Sequence, residues 1–160
     1  MKLRVLTGVL AIIVIGAVIA VPIWYFTMSE SKIQFNELII NGTSFDIEVA
    51  DTAAARNKGL SGRTSLAMRH GMLFVFGNSA YHQFWMYDTH IPLDFIWISG
   101  DAVMEVTADV LPEPGKSMSE LTRYQPKVPV DKVLEINAGE AAVYDIKAGD
   151  RIVFTPAAAK

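Results

Sequence analysis

An uncharged run of 22 residues, VLTGVLAIIVIGAVIAVPIWYF from Val5 to Phe26, divides this chain into parts with different folding problems. As a helix the run spans roughly 33 Å at about 1.5 Å per residue, enough to cross the hydrocarbon core of a bilayer. Lys2 and Arg4 precede it and Glu30 with Lys32 follow. The positive-inside rule then puts the short amino terminus in the cytoplasm and everything after the run outside, with Trp24 and Tyr25 at the outer interface. A cleaved signal peptide is the competing reading, with Val18 and Ala20 as the small residues of the cleavage site. Pro22 beside that site, and the apolar run continuing through Ile23, Trp24, Tyr25 and Phe26, favour an uncleaved anchor. The expected organisation is a transmembrane anchor over residues 1–27, a linker over 28–32 (MSESK) and one domain over 33–156. The expected location is the cytoplasmic membrane, single-pass, with the domain periplasmic or extracellular.

The chain has 160 residues, 51% hydrophobic and 19% charged, which suffices for one core but not for a second full domain. It lacks cysteine, which excludes a disulfide framework, a thiolate nucleophile, a cysteine zinc site and a lipid anchor on cysteine. Of 14 basic residues, Lys2 and Arg4 precede the apolar run; the 12 that remain face 17 acidic ones, a formal charge of −5. Nucleic acid and acidic lipid surfaces are poor partners for such a domain. A monomer tethered to the membrane by its amino-terminal helix is expected.

Beyond the linker, short apolar and β-branched runs alternate with turn residues. Ile33 to Ile40 and Thr43 to Ala50 flank Asn41-Gly42, a tight-hairpin signal because both residues tolerate positive φ. A two-residue loop opposes Ile47 to Asn36 and Val49 to Gln34, so a bulge is expected. Asn41-Gly42-Thr43 also has the form of a glycosylation sequon. Asp51 or Thr52 caps a helix over residues 53–58 that Gly59 ends. Gly71 to Phe76 (GMLFVF) and Phe84 to Tyr87 read as strands, with Asp88-Thr89 as the structural turn leading into a strand over Ile91 to Ile98. Ser99-Gly100-Asp101 turns the chain back into Ala102 to Val110.

Leu111 to Asp131 holds four prolines and is too long for a simple connection, so it packs down as an Ω-like loop or acts as a lid. Val133 to Ile136, a short turn or helix around Glu140 to Ile146, and Arg151 to Phe154 complete the pattern. The expected fold is mainly β, bordering on α+β: a small closed or partly closed β-barrel with one short helix.

Chemical motifs are sparse. Gly59 to Arg63 (GLSGR) misplaces the serine of G-x-S-x-G, and there is neither a phosphate loop nor a dinucleotide fingerprint. His70, His82 and His90 form no H-E-x-x-H and no helical pair, so no metal and no cofactor is expected. Asp94 stands out, because Leu93 and Phe95 flank it in an apolar strand where an unpaired carboxylate is costly. Arg56 and Arg63 are the expected partners, since a guanidinium fork matches a carboxylate bidentately. That pair either ties the helix to the barrel or binds a ligand. Trp85, Trp97 and the nearby phenylalanines read as core first and as a stacking platform second.

The residues after the apolar run resemble domain of unknown function family 192, a family of small conserved proteins. The resemblance is carried by R-x-x-G-L at Arg56 to Leu60 with Arg63 following, GMLFVF at Gly71 to Phe76, and FWM at Phe84 to Met86. IPLDFIWI at Ile91 to Ile98, VLEI-x-AG at Val133 to Gly139, and Gly149-Asp150 continue it in the family's order. It implies a compact β-rich domain, often exported, with no established activity or cofactor. The family usually has a basic residue and an asparagine where Tyr87 and Asp88 stand, which favours a turn role for Asp88. His90 falls where an apolar residue is common.

Two function classes follow. The preferred one is a membrane-tethered, non-catalytic binding or interaction module. Its candidate pocket is formed by Arg56, Arg63, Trp85 and Asp94, and its ligand is a small molecule, a glycan or a protein. The alternative is a hydrolase or lyase using Asp88, His90 and Asp94, which requires the three side chains to converge.

Overall fold

The computed structural model describes residues 35–156. The expected anchor and linker lie outside the described residues, and among those described no helix is long and apolar enough to cross a membrane. In chain order the elements are β1 (Phe35–Ile40), β2 (Thr43–Ala50), α1 (Ala53–Lys58), β3 (His70–Ala80), β4 (Leu93–Ser99), β5 (Ala102–Val110), β6 (Val130–Asn137), α2 (Glu140–Val143) and β7 (Ile152–Pro156).

The strands form one seven-stranded sheet in the order β5-β4-β6-β3-β2-β1-β7. Every pairing is antiparallel except β2 with β3. Parallel neighbours need a crossover rather than a tight turn; residues 51–69, carrying α1, supply it. The sheet curls into a half-barrel whose outermost strands meet at one end through the bridge Ala102↔Arg151. There Val103 N donates to Asp150 O at 2.9 Å, and Ile152 N donates to Asp101 O at 2.8 Å.

Asn41 and Gly42 turn at φ 51° and 74°, as their tolerance of positive φ predicts. The expected bulge is absent from this hairpin, which runs in register from Glu37↔Asp46 to Ile40↔Thr43. Ile47 needs no apolar residue opposite it on β1, because it packs into the core beside β3. The register shift of β1 lies on its other edge, against β7. Asn41 donates its side-chain amide to Asp145 O and to Asp150 Oδ2, both at 2.8 Å, so it clamps the α2–β7 turn.

β3, β4 and β6 are buried on both faces, which is why their sequences are nearly unbroken apolar runs rather than alternations. Leu73, Val75, Ile96, Ile98, Leu134 and Ile136 fill the inside of the half-barrel. Met72, Phe74, Phe95, Trp97 and Val133 form a second core on the outside. That outer core is covered by α1, by residues 84–91 and by the proline-containing segment 111–129.

Residues 84–87 alternate in burial like a strand, with Phe84 and Met86 buried and Trp85 and Tyr87 exposed. They make only one bridge, Phe84↔Tyr124, closed by backbone bonds of 2.8 and 2.9 Å. The expected strand there is thus an extended cover segment, because no neighbouring chain runs alongside it. The same bridge pins the long 111–129 segment, whose Leu121 is buried and whose Tyr124 packs edge-on against Phe95. It is packed down, as one of the two expectations held.

Candidate functional site

Thr52 caps α1, accepting from Ala55 N at 3.1 Å, and Gly59 ends it at φ 49°. Gly59 also lies against the sheet, where an added Cβ would sit 3.3 Å from the Phe74 ring. α1 therefore approaches β3 closely at its carboxyl end, and a cavity of about 160 Å³ opens between them. Arg56, Asn57, Lys58, Leu60 and Ser61 form one wall. Phe74, Phe76, Phe84, Trp85 and Tyr87 form the others, and Glu135 of β6 lies beneath.

Glu135 shares the outer face with Val133 and lies across from Met72 on β3 and Phe95 on β4. It is 5% exposed. Burial alone pushes its carboxyl from the ordinary 4.5 up to about 8, so it holds its proton at neutral pH. No charge or hydrogen bond among the described residues offsets that burial. A buried, unpartnered acid facing a cavity walled by aromatic rings has the chemical character of a binding site.

The four residues expected to form a pocket separate into two pairs. Arg56 and Trp85 line the cavity, whereas Arg63 and Asp94 do not. Arg56 does not bind Asp94: its Nη1 donates to Asp51 O at 2.6 Å and to Val75 O at 2.8 Å, and its guanidinium lies 5.2 Å from the Phe76 ring centre. Arg63 instead grips Glu48 with two bonds of 2.6 Å, which holds the Glu48 carboxyl below its ordinary range.

Asp94 is fully buried, but on the inner face. Its Oδ1 accepts from Asp109 N and its Oδ2 from Ala141 N, both at 2.9 Å. The expected ion pair is replaced by backbone amides, because strand parity turns Asp94 away from both arginines. This carboxylate joins the end of β5, where Asp109 adopts φ 55°, to the start of α2. Trp85 is 38% exposed, with the Arg123 guanidinium 4.4 Å from its ring centre.

Asp88 and Thr89 make the expected turn. Asp88 has φ 49°, its carbonyl accepts from Gly62 N at 2.7 Å, and Thr89 N donates to Met86 O. Asp88 and His90 approach to 3.2 Å at an exposed position, beside a second hollow lined also by Glu113 and Lys116. Asp94 does not join them. The triad required for a hydrolase or lyase on Asp88, His90 and Asp94 is therefore not assembled.

The other histidines are placed separately. His82 stacks on Phe76 with ring centres 3.6 Å apart, and His70 lies 3.5 Å from Asp46. Among the described residues no group of three or more histidine, aspartate or glutamate side chains could hold a metal ion.

The model of a family described as "Uncharacterized ACR", domain of unknown function family 192, matches residues 37–154. This chain belongs to that family. The family motif VLEI places Glu135 beneath the cavity, R-x-x-G-L supplies Arg56, Gly59 and Leu60 to its wall, and GMLFVF supplies Phe74 and Phe76. A crystal structure of a protein of unknown function from Novosphingobium aromaticivorans DSM 12444 is similar: 35% identity over 78% of this chain and 89% of that one, with a TM-score of 0.66. A second, of a "putative transcription regulator" from Sinorhizobium meliloti 1021, has 27% identity over 77% of this chain and 97% of that one, also with a TM-score of 0.66. No curated protein matches the chain.

Glu135 was legible by the argument that singled out Asp94. Both are acids inside apolar runs, Leu93-Asp94-Phe95 and Leu134-Glu135-Ile136. Applied to both, the cost of burying a carboxylate flags the pair. It does not say which acid is satisfied.

Proposed function

We propose that this family 192 chain is a membrane-tethered, extracytoplasmic binding module that acts as a monomer and takes its ligand in the cavity between α1 and the sheet. The observation that carries this reading is Glu135, buried and unpartnered beneath aromatic walls. A protein keeps such a group at a cost in stability, and the cost is recovered when a ligand supplies the missing partner.

The cavity is close to the roughly 150 Å³ that accommodates benzene in an engineered core. A single ring or a short side chain fits. The ligand is thus a small molecule, or one projecting group of a glycan or protein. The description of the Sinorhizobium structure points instead to nucleic acid, but a formal charge of −5 after the apolar run weighs against a phosphate backbone as partner.

Two measurements test the reading. Native mass spectrometry of the full chain in detergent should detect a small co-purifying ligand that is lost in Asn57→Trp, a substitution that plugs the mouth from an exposed position on α1. Retention of the ligand by that variant would place binding elsewhere. Protease added outside spheroplasts should digest the domain and leave the amino terminus protected; release of a soluble fragment starting near Val21 would refute the anchor.

A further inference from the structure

The charges around the cavity are one-sided. Arg56 and Lys58 are the charged groups of its α1 wall, and no carboxyl other than Glu135 lines it. β3 and β4 bring only Met72, Phe74, Phe76 and Phe95 against Glu135. Tyr87 adds a phenol from the cover segment, Tyr124 packs on Phe95, and His82 stacks on Phe76. With Glu135 protonated, the lining therefore has two cations and no anion.

Among its charged and ionisable groups the free hydrogen-bonding capacity lies with donors, while the side-chain amides of Asn57 and Gln83 offer both donors and acceptors. Arg56 uses only Nη1 in its two bonds to carbonyl oxygens, so Nε and Nη2 retain N–H groups without a partner among the described residues. The Glu135 carboxyl presents an O–H to the same space. Ser61 has already committed its hydroxyl hydrogen to Tyr87 O at 2.9 Å. Donors and positive charge, arranged around aromatic rings, suit an acceptor-only anion with an apolar body.

We propose that the cavity binds a small monocarboxylate, whose ring or short apolar body lies among Phe74, Phe84 and Trp85 while its carboxylate accepts the Glu135 proton in a hydrogen bond and faces Arg56. This inference rests on the reading of the cavity as the binding site and adds the class of ligand. No bond is made or broken; Glu135 keeps its proton and shares it with the ligand oxygen. A carboxyl ionised before binding would repel the ligand.

The acid form of Glu135 persists to about pH 8. Affinity for a carboxylate that needs this form therefore falls about tenfold between pH 7 and pH 9, one pH unit on each side of the midpoint.

The test titrates the full chain in detergent with benzoate, benzamide and benzamidinium, three probes of nearly equal shape, by calorimetry at pH 7 and pH 9. Benzoate should bind most tightly and weaken about tenfold at pH 9. Glu135→Gln keeps a donor and loses the titration, so its affinity for benzoate should not change between pH 7 and pH 9. Asn57→Trp should abolish binding of every probe. Tightest binding by benzamidinium, strengthening with pH and lost in Glu135→Gln, would overturn the monocarboxylate and leave the cavity as the binding site. Binding by none of the probes, or binding that survives Asn57→Trp, would overturn both readings. Thermal melting of each variant confirms that a loss of binding is not a loss of fold.

Discussion

The two faces of the central sheet each bury a carboxyl, and they treat it in opposite ways. On the inner face, Asp94 receives two backbone amides at 2.9 Å and acts as a structural brace between β5 and α2. On the outer face, Glu135 receives none and retains its proton beneath a cavity. The inner face is a closed hydrocarbon core in which an unsatisfied acid would be pure cost. The outer face is covered by loops and a six-residue helix, so it leaves a space that a ligand can enter. Burial depth alone does not separate a structural acid from a functional one; the partners do.

The largest expected effect breaks the brace. Asp94→Ala leaves the amides of Asp109 and Ala141 without their acceptor, and at about 1.5–3 kcal/mol for each hydrogen bond to a charged group the loss should be about 3–6 kcal/mol. Denaturant unfolding measures it. Asp94→Asn should also destabilise, because its single oxygen can serve only one of the two donors. A neutral result at Asp94 would remove the contrast between the faces.

The matching change on the outer face should go the other way. Folding raises the Glu135 pKa from 4.5 to about 8, so the folded state binds the proton more tightly than the unfolded chain. The resulting stability is fully present below pH 4.5 and is lost as pH rises through about 8. Glu135→Gln carries no such proton. Parent and variant should have similar stability near pH 5, and the variant should gain on the parent up to pH 9 by a few kcal/mol, at about 1.4 kcal/mol per pH unit. Parallel denaturant curves at pH 5, 7 and 9 read this directly, and curves that do not diverge would mean Glu135 is satisfied after all.

Gly71→Ala probes the contact between β3 and β6 beside Glu135. The added methyl would lie 2.7 Å from Glu135 O and 2.9 Å from Leu134 Cδ1, so backbone must shift. Overpacking of this kind costs about 1–3 kcal/mol, again read from denaturant curves.

Surface charges should matter least. Arg63→Ala removes a partly exposed pair with Glu48 and should cost at most about 1 kcal/mol, shrinking with salt. Asp88→Asn should change stability by no more than about 0.5 kcal/mol, since asparagine also tolerates the left-handed φ that Asp88 adopts. A large loss there, in the same unfolding assay, would restore weight to the Asp88–His90 pair.

Much of this architecture was written locally. Asn41-Gly42 specifies a tight hairpin because both residues accept positive φ, and Thr52 with Gly59 bounds α1 through a cap and a stop. Runs such as GMLFVF and LDFIWI read as strands because they are short and rich in aromatic and β-branched residues, and strands buried on both faces lack alternation. The cost of an uncompensated carboxylate marks Asp94 before any partner is seen. The tertiary structure alone decided which face each residue occupies and what stands opposite it. Parity, set by the ladders of β4 and β6, turned Asp94 inward to the α2 amides and Glu135 outward to the cavity. The arginines expected to reach Asp94 lie around α1 on the far side of the sheet, where Arg56 meets carbonyl oxygens and Arg63 meets Glu48. These partners come from distant segments of the chain, so their identity follows from strand order and register, which no local pattern encodes.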